Sequence, residues 1–380
     1  MKILIAMDSF KGSLSSEEAG EALKEVIYSM DQSADADVFR VSDGGEGLTE
    51  ALLSVRDHEK RRITVTGPLG TPVEAVYGIY ENAGEKCAVM EMAEAAGLVL
   101  VPEDSRNPLY TTTYGVGQMI CDAVQNGCNK IVMGIGGSVT NDAGIGMLQA
   151  LGYHFRDGKG MEVPFGAIAL KDVEAIDEAD VWEQIRKCEI RVACDVKNPL
   201  CGENGCSMVF SPQKGATKKQ AAEMDVWMRK YADVIKKQFP NADPDAEGAG
   251  AAGGLGFAFQ TFLNVKLERG IDTVLHEIGF EDSIANADLV ITGEGRLDAQ
   301  TAMGKVPAGV AACAKNHGVK VIAFGGSVDE NSMEILKTAG IDFCYGITPG
   351  GMALEQAIKK DVALENLRRK AEEVLYGWLE

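Results

Sequence analysis

The chain has 380 residues, 46% of them hydrophobic and 25% charged, which is typical of a globular protein with two or three domains. Its formal net charge of −20, with no basic cluster beyond residues 60–62, argues against a nucleic acid or an anionic membrane as a partner. An acidic chain that acts on an anionic substrate must gather its few Lys and Arg side chains locally.

The cysteines and histidines argue against a disulfide-bonded protein and against a zinc protein. The nine cysteines are odd in number and contain no C-x-x-C pair, and the four histidines have no metal-ligand spacing. Reduced thiols in a cytoplasmic protein explain this pattern better than disulfides or zinc. The first residues run straight into a strand pattern, so we expect no signal peptide. No apolar stretch reaches the ~18 residues that a membrane span needs.

Short apolar runs alternate with helical patterns at both ends of the chain. After a strand at 3–7, Ser15 and Glu18 form a capping-box pattern, and apolar residues then recur at helical spacing to residue 30. Further strands are predicted at 37–41, 288–292, 319–324 and 343–347, and helices at 48–53, 306–316, 332–339 and 353–379. This alternation predicts a parallel α/β sheet.

The middle of the chain has a different pattern. Residues 63–66 and 73–79 flank the turn sequence 67–72 and predict antiparallel strands. Other strands are predicted at 89–92, 190–195 and 208–210, and helices at 93–97, 112–127, 217–238, 257–263 and 271–286, with 217–238 as one long helix or two. We therefore predict an α/β fold with two α/β domains. Residues 1–65 and 287–380 form a discontinuous domain with a Rossmann- or flavodoxin-like parallel sheet, and residues 66–286 form an inserted domain with glycine-rich loops.

The segment 130–142 places several glycines directly after a strand pattern. A short apolar run rich in β-branched residues predicts a buried strand that stops at Gly134, Gly136 and Gly137. A helix is predicted at 141–151, with unpaired N–H groups and a partial positive charge at its start. Strand, glycine loop and helix N-terminus together favour an anion site, most often for phosphate. The alternative is a tight turn in which Ser138 or Thr140 caps the helix.

Five strand ends carry the same kind of loop, in which turn residues accompany a carboxylate, a lysine or a hydroxyl. These loops are Asp8-Ser9-Phe10-Lys11-Gly12, Asp43-Gly44-Gly45-Glu46-Gly47, Gly136-Gly137-Ser138, Asp195-Val196-Lys197-Asn198 and Gly293-Glu294-Gly295-Arg296-Leu297-Asp298. Ligands of open α/β sheets bind outside the carboxyl ends of the strands. Converging loops of this kind supply N–H groups for phosphate, carboxylates for Mg²⁺ and cations, the set that phosphoryl transfer needs. Each loop alone is also ordinary turn chemistry.

Two known nucleotide-binding motifs are not fully matched by this sequence. Gly248, Gly250 and Gly253 match the dinucleotide fingerprint, but the polar, proline-containing segment 241–247 before them predicts no strand. The P-loop pattern is absent, because Lys305 is followed by valine rather than by serine or threonine.

Several long motifs, in order along the chain, resemble the glycerate kinase type 1 family, bacterial enzymes that phosphorylate glycerate with ATP. They occupy residues 8–14, 43–47, 134–142, 193–196, 198–202, 212–216, 248–256, 292–301 and 304–307. The resemblance covers essentially the whole chain. It implies a two-domain α/β enzyme with its active site in the cleft between the domains, with ATP and glycerate as substrates and Mg²⁺ as a cofactor.

We assign a role to each candidate residue on this basis. Asp195 accepts the proton of the substrate hydroxyl. Lys11 and Lys305 neutralise phosphate or the glycerate carboxylate, and Arg296 clasps that carboxylate. Substrate and phosphate contacts are assigned to Asp8, Ser9, Gly136, Gly137, Ser138, Asn141, Gly253, Gly254 and Glu294. The Mg²⁺ ligands are assigned to Asp43, Glu46 and Asp298, with Glu294 as a further candidate, and each of these four carboxylates is an alternative to Asp195 as the base.

Several alternatives stay open. The family generally makes 2-phosphoglycerate, which we favour over the 3-phosphate. A kinase for another small hydroxy acid is the nearest rival, and a non-catalytic metabolite sensor on the same fold is a more distant one. A sensor does not need the acidic loop residues for Mg²⁺, and all of them are present. We expect a cytoplasmic monomer or homodimer without nucleic-acid or membrane partners.

Overall fold

The computed structural model describes residues 1–10, 12–42, 47–54, 56–82 and 84–379. The strands of these ranges are β1 Lys2–Met7, β2 Asp35–Val38, β3 His58–Thr66, β4 Pro72–Asn82, β5 Glu85–Glu91, β6 Lys130–Gly134, β7 His154–Arg156, β8 Ala175–Asp177, β9 Glu189–Ala193, β10 Leu267–Glu268, β11 Leu289–Leu297, β12 Lys320–Val328 and β13 Phe343–Gly346.

The α-helices of the same ranges vary from one turn to about six turns in length. They are α1 Ser16–Met30, α2 Leu48–Leu53, α3 Ala93–Ala96, α4 Tyr114–Gln125, α5 Ile145–Ala150, α6 Glu183–Lys187, α7 Cys206–Phe210, α8 Lys218–Gln238, α9 Ala251–Phe262, α10 Gly270–Glu277, α11 Phe280–Ile284, α12 Val306–Asn316, α13 Met333–Thr338, α14 Leu354–Ala357 and α15 Lys360–Leu379. In the described part of the chain, no helix combines the length and the apolar character that crossing a membrane requires.

The chain divides into two compact units. Unit 1 comprises Met1–Asp43, Glu50–Val55 and Ile271–Glu380, and unit 2 comprises Gly44–Thr49 and Arg56–Gly270. Unit 1 therefore contains both ends of the chain.

Unit 1 is built on a parallel sheet with the order β13-β12-β11-β1-β2. β1 and the first part of β11, residues 289–291, are continuous apolar runs, as expected where helices cover both faces of such a sheet. β1 pairs with β11 from Ile3 opposite Leu289 to Met7 opposite Gly293. When these five strands are numbered as they occur along the chain, their spatial order in the sheet is 5-4-3-1-2, which is the flavodoxin-like order. The predicted α/β class and the parallel sheet from both chain ends are confirmed.

The first and last long helices pack together within unit 1. Ser15 caps α1, since its side chain accepts from the Glu18 backbone N–H. The Glu18 carboxylate in turn accepts from the Ser15 backbone N–H, as the capping-box pattern predicts. Leu23 of α1 and Leu367 of α15 are fully buried in the same apolar core. Outside this core, Arg368 reaches Glu25 at 2.7 Å.

Unit 2 contains a mixed sheet with the order β10-β9-β6-β5-β4-β3. β3, β4 and β5 pair antiparallel, as the turn at 67–72 predicts, and β5, β6, β9 and β10 pair parallel. Glu91, Gly134 and Ala193 stand side by side at the carboxyl edge of the parallel strands. The loops that follow β6 and β9 therefore leave the sheet next to each other.

The units divide at other residues than the predicted domain boundaries at 65 and 286. β3 pairs along its whole length with β4 and so belongs to unit 2. Residues 271–286 belong to unit 1. There Ile271 lies against Gly309 of α12, where a Cβ would come within 2.5 Å of the Ile271 side chain, and Phe280 packs edge-on against Phe39.

Two predicted elements are wrong. Residues 208–210 lie in helix α7, not in a strand. The helix predicted at 141–151 begins only at Ile145, after the left-handed residues Ala143 and Gly144. Ten residues thus separate the end of β6 from the start of α5.

Candidate active site

Unit 1 has a cavity of about 620 Å³ at the carboxyl end of its sheet. From β1 the chain continues to β2 on one side, whereas β12 and β13 lie on the other side of β11. The pair β1–β11 is therefore the switch point of the sheet, where open α/β folds bind their ligands. Ser9, which follows β1, and Glu294 and Arg296, which end β11, line the cavity together with Lys305.

The turn after β1 is held by the Asp8 carboxylate. The backbone N–H of Asp8 donates to the Gly293 carbonyl at 2.8 Å, and the N–H of Ser9 donates to Asp8 Oδ1 at 2.7 Å. Asp8 is 8% exposed. The structure thus gives Asp8 a turn-forming position and places Ser9 at the cavity wall.

A buried carboxylate holds the lysine of the cavity. Glu294 is 6% exposed, and its Oε1 accepts from Thr301 Oγ1 at 2.6 Å. Its Oε2 accepts from Lys305 Nζ at 3.3 Å. Lys305 immediately precedes α12 and stands at its N-cap position. An ammonium and a helix N-terminus therefore lie next to each other, and both favour an anion.

Arg296 forms an ion pair with a predicted metal ligand. Its Nε lies 3.3 Å from Asp298 Oδ2, while Asp298 Oδ1 accepts from the Gln300 N–H at 2.8 Å. The Arg296 side chain is 68% exposed, so its guanidinium still faces solvent at the cavity wall. Asp298 positions Arg296 and shapes the turn before α12.

The glycine loop of unit 2 differs from the predicted strand-to-helix site. The carbonyl of Gly137 accepts from the Leu98 N–H at 2.8 Å, so the loop pairs with residues 96–98 instead of entering a helix. Among the described residues, nothing accepts from the N–H groups of Gly136, Gly137 and Ser138. Gly137 has φ +71°, which favours glycine. Three successive free N–H groups can hold an anion, but no helix dipole adds to them.

A buried lysine supports this loop. Lys214 is 2% exposed, and its Nζ donates to Ser138 Oγ at 2.7 Å and to the Thr140 carbonyl at 2.6 Å. Burial lowers the pKa of Lys214 to about 8. No local pattern in the sequence indicates a role for Lys214, although residues 212–216 belong to the motifs of the family resemblance.

Asn141 and Asp142 are fully buried and directly follow Thr140, whose carbonyl accepts from Lys214. Asn141 Nδ2 donates to Ser207 Oγ at 2.9 Å, and its Oδ1 has no partner among the residues that the structure describes. Asp142 accepts from the Thr113 N–H at 2.8 Å and from Thr113 Oγ1 at 2.9 Å. Burial raises the pKa of Asp142. These contacts hold residues 139–144 in a non-helical path, which explains the late start of α5.

Gly253 and Gly254 pack against the same path. They have φ +69° and +93°, and a Cβ on Gly253 would lie 2.1 Å from the Thr140 carbonyl oxygen. The Gly253 carbonyl accepts from the Ala143 N–H at 2.9 Å. The glycine-rich motif therefore lets two backbones approach each other, and the space around Gly253 is filled by protein.

Two carboxylates lie at the carboxyl edge of unit 2. Asp195 follows β9, is exposed, and accepts from the Gly270 N–H through Oδ1 at 3.0 Å. Glu91 ends β5, accepts from the Thr49 N–H at 3.0 Å, and has a pKa raised by burial. Sequence reasoning singled out Asp195 but not Glu91, which is an ordinary strand residue in the sequence.

The structure brings the candidates together in two groups. In unit 1, Asp8, Ser9, Glu294, Arg296, Asp298 and Lys305 surround the cavity and its rim. In unit 2, Gly136, Gly137, Ser138, Asn141, Gly253 and Gly254 surround the glycine loop. Asp195 follows the neighbouring strand. Lys11, Asp43 and Glu46 lie outside the described residues.

Comparisons with known proteins agree over the full chain. The model of the glycerate kinase family matches residues 3–379. A glycerate kinase of Bacillus subtilis (strain 168) is 45% identical over 98% of this chain and 97% of its own. A glycerate 2-kinase of Escherichia coli (strain K12) is 42% identical over the same shares. A crystal structure from Salmonella typhimurium LT2, assigned provisionally as glycerate kinase 2, is 41% identical, with TM-score 0.88 and coverage of 100% of this chain and 98% of its own.

The fold and these relatives define a phosphotransferase that has an alcohol group as acceptor. Identities above 40% over nearly the full length leave little room for a different reaction. The chain belongs to the glycerate kinase family, and it is an enzyme with glycerate kinase activity.

Proposed function

We propose that the enzyme transfers the γ-phosphoryl group of ATP to D-glycerate and releases 2-phosphoglycerate and ADP. The observation that carries this proposal is the Lys305–Glu294 pair in the cavity at the switch point of the unit 1 sheet. Lys305 is a cation that Glu294 holds in place beside the start of a helix, in a chain of net charge −20. The 42% identity with a protein named glycerate 2-kinase supports the 2-phosphate.

In unit 1, Lys305 neutralises phosphate oxygens, and Ser9 donates a hydroxyl hydrogen bond to the same ligand. Arg296 is exposed and already oriented by Asp298, so it offers a planar pair of N–H donors to a carboxylate or a phosphate. Asp8 contributes by fixing the turn that carries Ser9. We keep Lys11 as a further neutralising cation.

In unit 2, the free N–H groups of Gly136, Gly137 and Ser138 hold oxygens of a phosphate or of the substrate. Lys214 donates to Ser138 Oγ and thereby leaves the hydroxyl hydrogen of Ser138 available to a ligand. Asn141, Gly253 and Gly254 keep the loop in shape rather than contact the ligand, because each is packed against protein.

Asp195 accepts the proton of the attacking glycerate hydroxyl. It stands at the carboxyl edge of the parallel strands, next to the glycine loop, and is exposed to a substrate from solvent. Its bond to the Gly270 N–H fixes the direction of the carboxylate. A base must lie within hydrogen-bond reach of the proton that it accepts, and an oriented, accessible carboxylate satisfies that need.

Magnesium fits as a shared ion rather than as a resident one. The described residues contain no group of three or more His, Cys, Asp or Glu that could cage a metal. Mg²⁺ is commonly held by one or two carboxylates together with substrate phosphates, so such a cage is not required. Glu294 and Asp298 offer carboxylate oxygens, and Asp43 and Glu46 remain proposed ligands. When bound, Mg²⁺ neutralises charge on the transferred phosphoryl group.

We place the enzyme in the cytoplasm as a monomer or homodimer. All nine cysteines are free thiols, which suits a reducing compartment.

A coupled assay of ADP release with ATP and D-glycerate tests the function, and phosphorus NMR of the product tests the position of transfer. We expect turnover that depends on both substrates and a 2-phosphate product. Other small hydroxy acids, offered at the same concentration, should give at most a tenth of this turnover. No ADP release from folded protein would refute the proposal, and a 3-phosphate would correct its product.

A further inference from the structure

We propose that the unit 1 cavity is the nucleotide site and that an apolar wall around Leu354 and Ile358 binds the base. This inference rests on the proposed function, since it assigns ATP to one of the two groups of residues.

The cavity is lined by two chemically different sets of side chains. The polar set, called the polar side below, includes the Lys305 ammonium and the hydroxyls of Ser9 and Ser327. The apolar set, called the apolar side, includes Met352, Leu354 and Ile358. A ligand that fills both must have an anionic end and a flat or apolar end.

Two side chains of the apolar side are exposed rather than packed into the core. Leu354 is 75% exposed and Ile358 is 42% exposed. The Ile358 N–H donates to the Leu354 carbonyl at 3.0 Å, so the two side chains stand one helical turn apart on one face. Apolar side chains on the wall of a polar cavity indicate a ligand that covers them.

Glycerate cannot be that ligand. It is a three-carbon acid with an oxygen on every carbon, so it has no apolar surface to place on Leu354 and Ile358. A cavity of about 620 Å³ is also far larger than such an acid needs, and it lies within the range of roughly 300–1,000 Å³ that is typical of sites for larger ligands. A nucleoside triphosphate has the required size and both required ends.

The polar side is prepared for phosphates or a ribose. Lys305 is held by Glu294 at the start of α12, an 11-residue helix. The Oγ of Ser13, which also lines the cavity, is buried and has no hydrogen-bond partner among the described residues. A ligand hydroxyl or phosphate oxygen would supply that partner.

The test is calorimetric titration of the full chain with ADP, adenosine and inorganic triphosphate in separate experiments. In the double variant Leu354→Ser/Ile358→Ser, we expect ADP and adenosine to bind at least tenfold more weakly, because the base loses apolar contact. Inorganic triphosphate, which has no base, should bind within twofold of wild type. Lys305→Met should show the opposite pattern, with triphosphate weakened at least tenfold and adenosine unchanged.

Ile335→Ser is the matched control. Ile335 lies in α13 of the same unit and is 43% exposed, almost the same as Ile358, but it does not line the cavity. Its ADP affinity should match wild type. Thermal unfolding of each variant verifies that the surface substitutions leave the fold intact.

The outcomes separate this inference from the proposed function. If the double variant binds ADP and adenosine as wild type does and turns over normally, the nucleotide site is elsewhere and the inference falls while the function stands. If ADP binding depends on the wall but glycerate is not phosphorylated, the site is supported and the proposed function falls. If wild type binds no nucleotide, both fall.

Discussion

The Nζ of Lys214 donates to the Oγ of Ser138 at 2.7 Å, although the two residues are 76 positions apart and Lys214 is almost fully buried. A hydroxyl that accepts from an ammonium becomes a better donor, because hydrogen bonds in series polarise one another. Lys214 is therefore a positioning residue for the glycine loop.

Lys214→Met should lower kcat by about 10–100-fold, as expected for the loss of a charge-assisted hydrogen bond worth ~1.5–3 kcal/mol. Ser138→Ala should lower it similarly, and the double variant should be no worse than either single one, because both remove the same donor. Steady-state kinetics measure this. Lys219→Met, on the exposed face of α8 with a side chain 86% exposed, is the control. Normal kcat in folded Lys214→Met would refute the role.

The stability of the fold should depend on pH through Lys214. Its pKa is about 8 when folded and 10.5 ordinarily, so burial penalises the charged form. Between these values the unfolded chain holds more protons than the folded one, and stability rises with pH. Below pH 8 the penalty is fully present. The free energy of unfolding of the wild type should thus rise by on the order of 3 kcal/mol relative to that of Lys214→Met between pH 8 and 10.5.

Urea unfolding of both proteins at several pH values across this window measures the difference. Groups that titrate alike in both proteins cancel. A difference that is constant or that shrinks with rising pH would contradict the assignment.

The Lys305–Glu294 pair should behave as a coupled unit. Lys305→Met leaves the buried Glu294 carboxylate with Thr301 as its donor, so we expect a loss of ~1–3 kcal/mol in stability and about 100-fold in kcat/KM. A double-mutant cycle with Glu294→Gln should give a coupling of roughly 1 kcal/mol. The matched surface pair Lys320–Asp342, where the lysine side chain is 60% exposed, should give less. Equal coupling in both pairs would argue against a preorganised site.

Gly253→Ala should destabilise the protein more than Gly127→Ala. Both glycines have positive φ, +69° and +86°, so the backbone strain is similar. The added Cβ at 253 meets the Thr140 carbonyl oxygen at 2.1 Å, whereas at 127 nothing in the described structure lies within 4 Å. Overpacking adds ~1–3 kcal/mol. Chemical denaturation measures both losses, and equal values would mean that the two backbones separate easily.

Asp195→Asn should reduce kcat by about 10²–10⁴-fold, because the amide cannot accept the hydroxyl proton. Its Oδ1 can still accept from the Gly270 N–H, so the fold should persist. Glu91→Gln is the comparison, since Glu91 also lies at the carboxyl edge but serves the Thr49 N–H. Near-normal turnover in Asp195→Asn, with a large loss in Glu91→Gln, would transfer the role of base to Glu91.

Local patterns predicted unit 1 well. The apolar run of β1 and the Ser15–Glu18 cap are decided by neighbours in the sequence, and the structure contains both. The C-terminal strands β11 and β12 contain similar apolar runs, at 289–291 and 321–324, which made the discontinuous parallel sheet predictable.

Tertiary contacts decided what could not be predicted. Asn141 and Asp142 resemble the start of a helix, but Thr113, 29 positions before Asp142, binds its carboxylate and holds the chain in a non-helical path. A run of three apolar residues at 208–210 has no readable period, so its helical state was missed. The burial of Lys214 depends on Ser138 and Thr140, which no local pattern indicates.

The place of β1 has a consequence for the order in which the chain can fold during synthesis. β1 lies between β2 and β11, and the N–H of Lys2 bonds to Asp288, 286 residues later. Unit 2 is almost continuous in sequence, so its core can form as soon as residue 270 has left the ribosome. The N-terminal strand must wait, with the backbone N–H and C=O groups of one edge unpaired, until β11 is made. The inserted unit thus lies in the connection between β2 and β11, the two strands that flank β1 in one sheet.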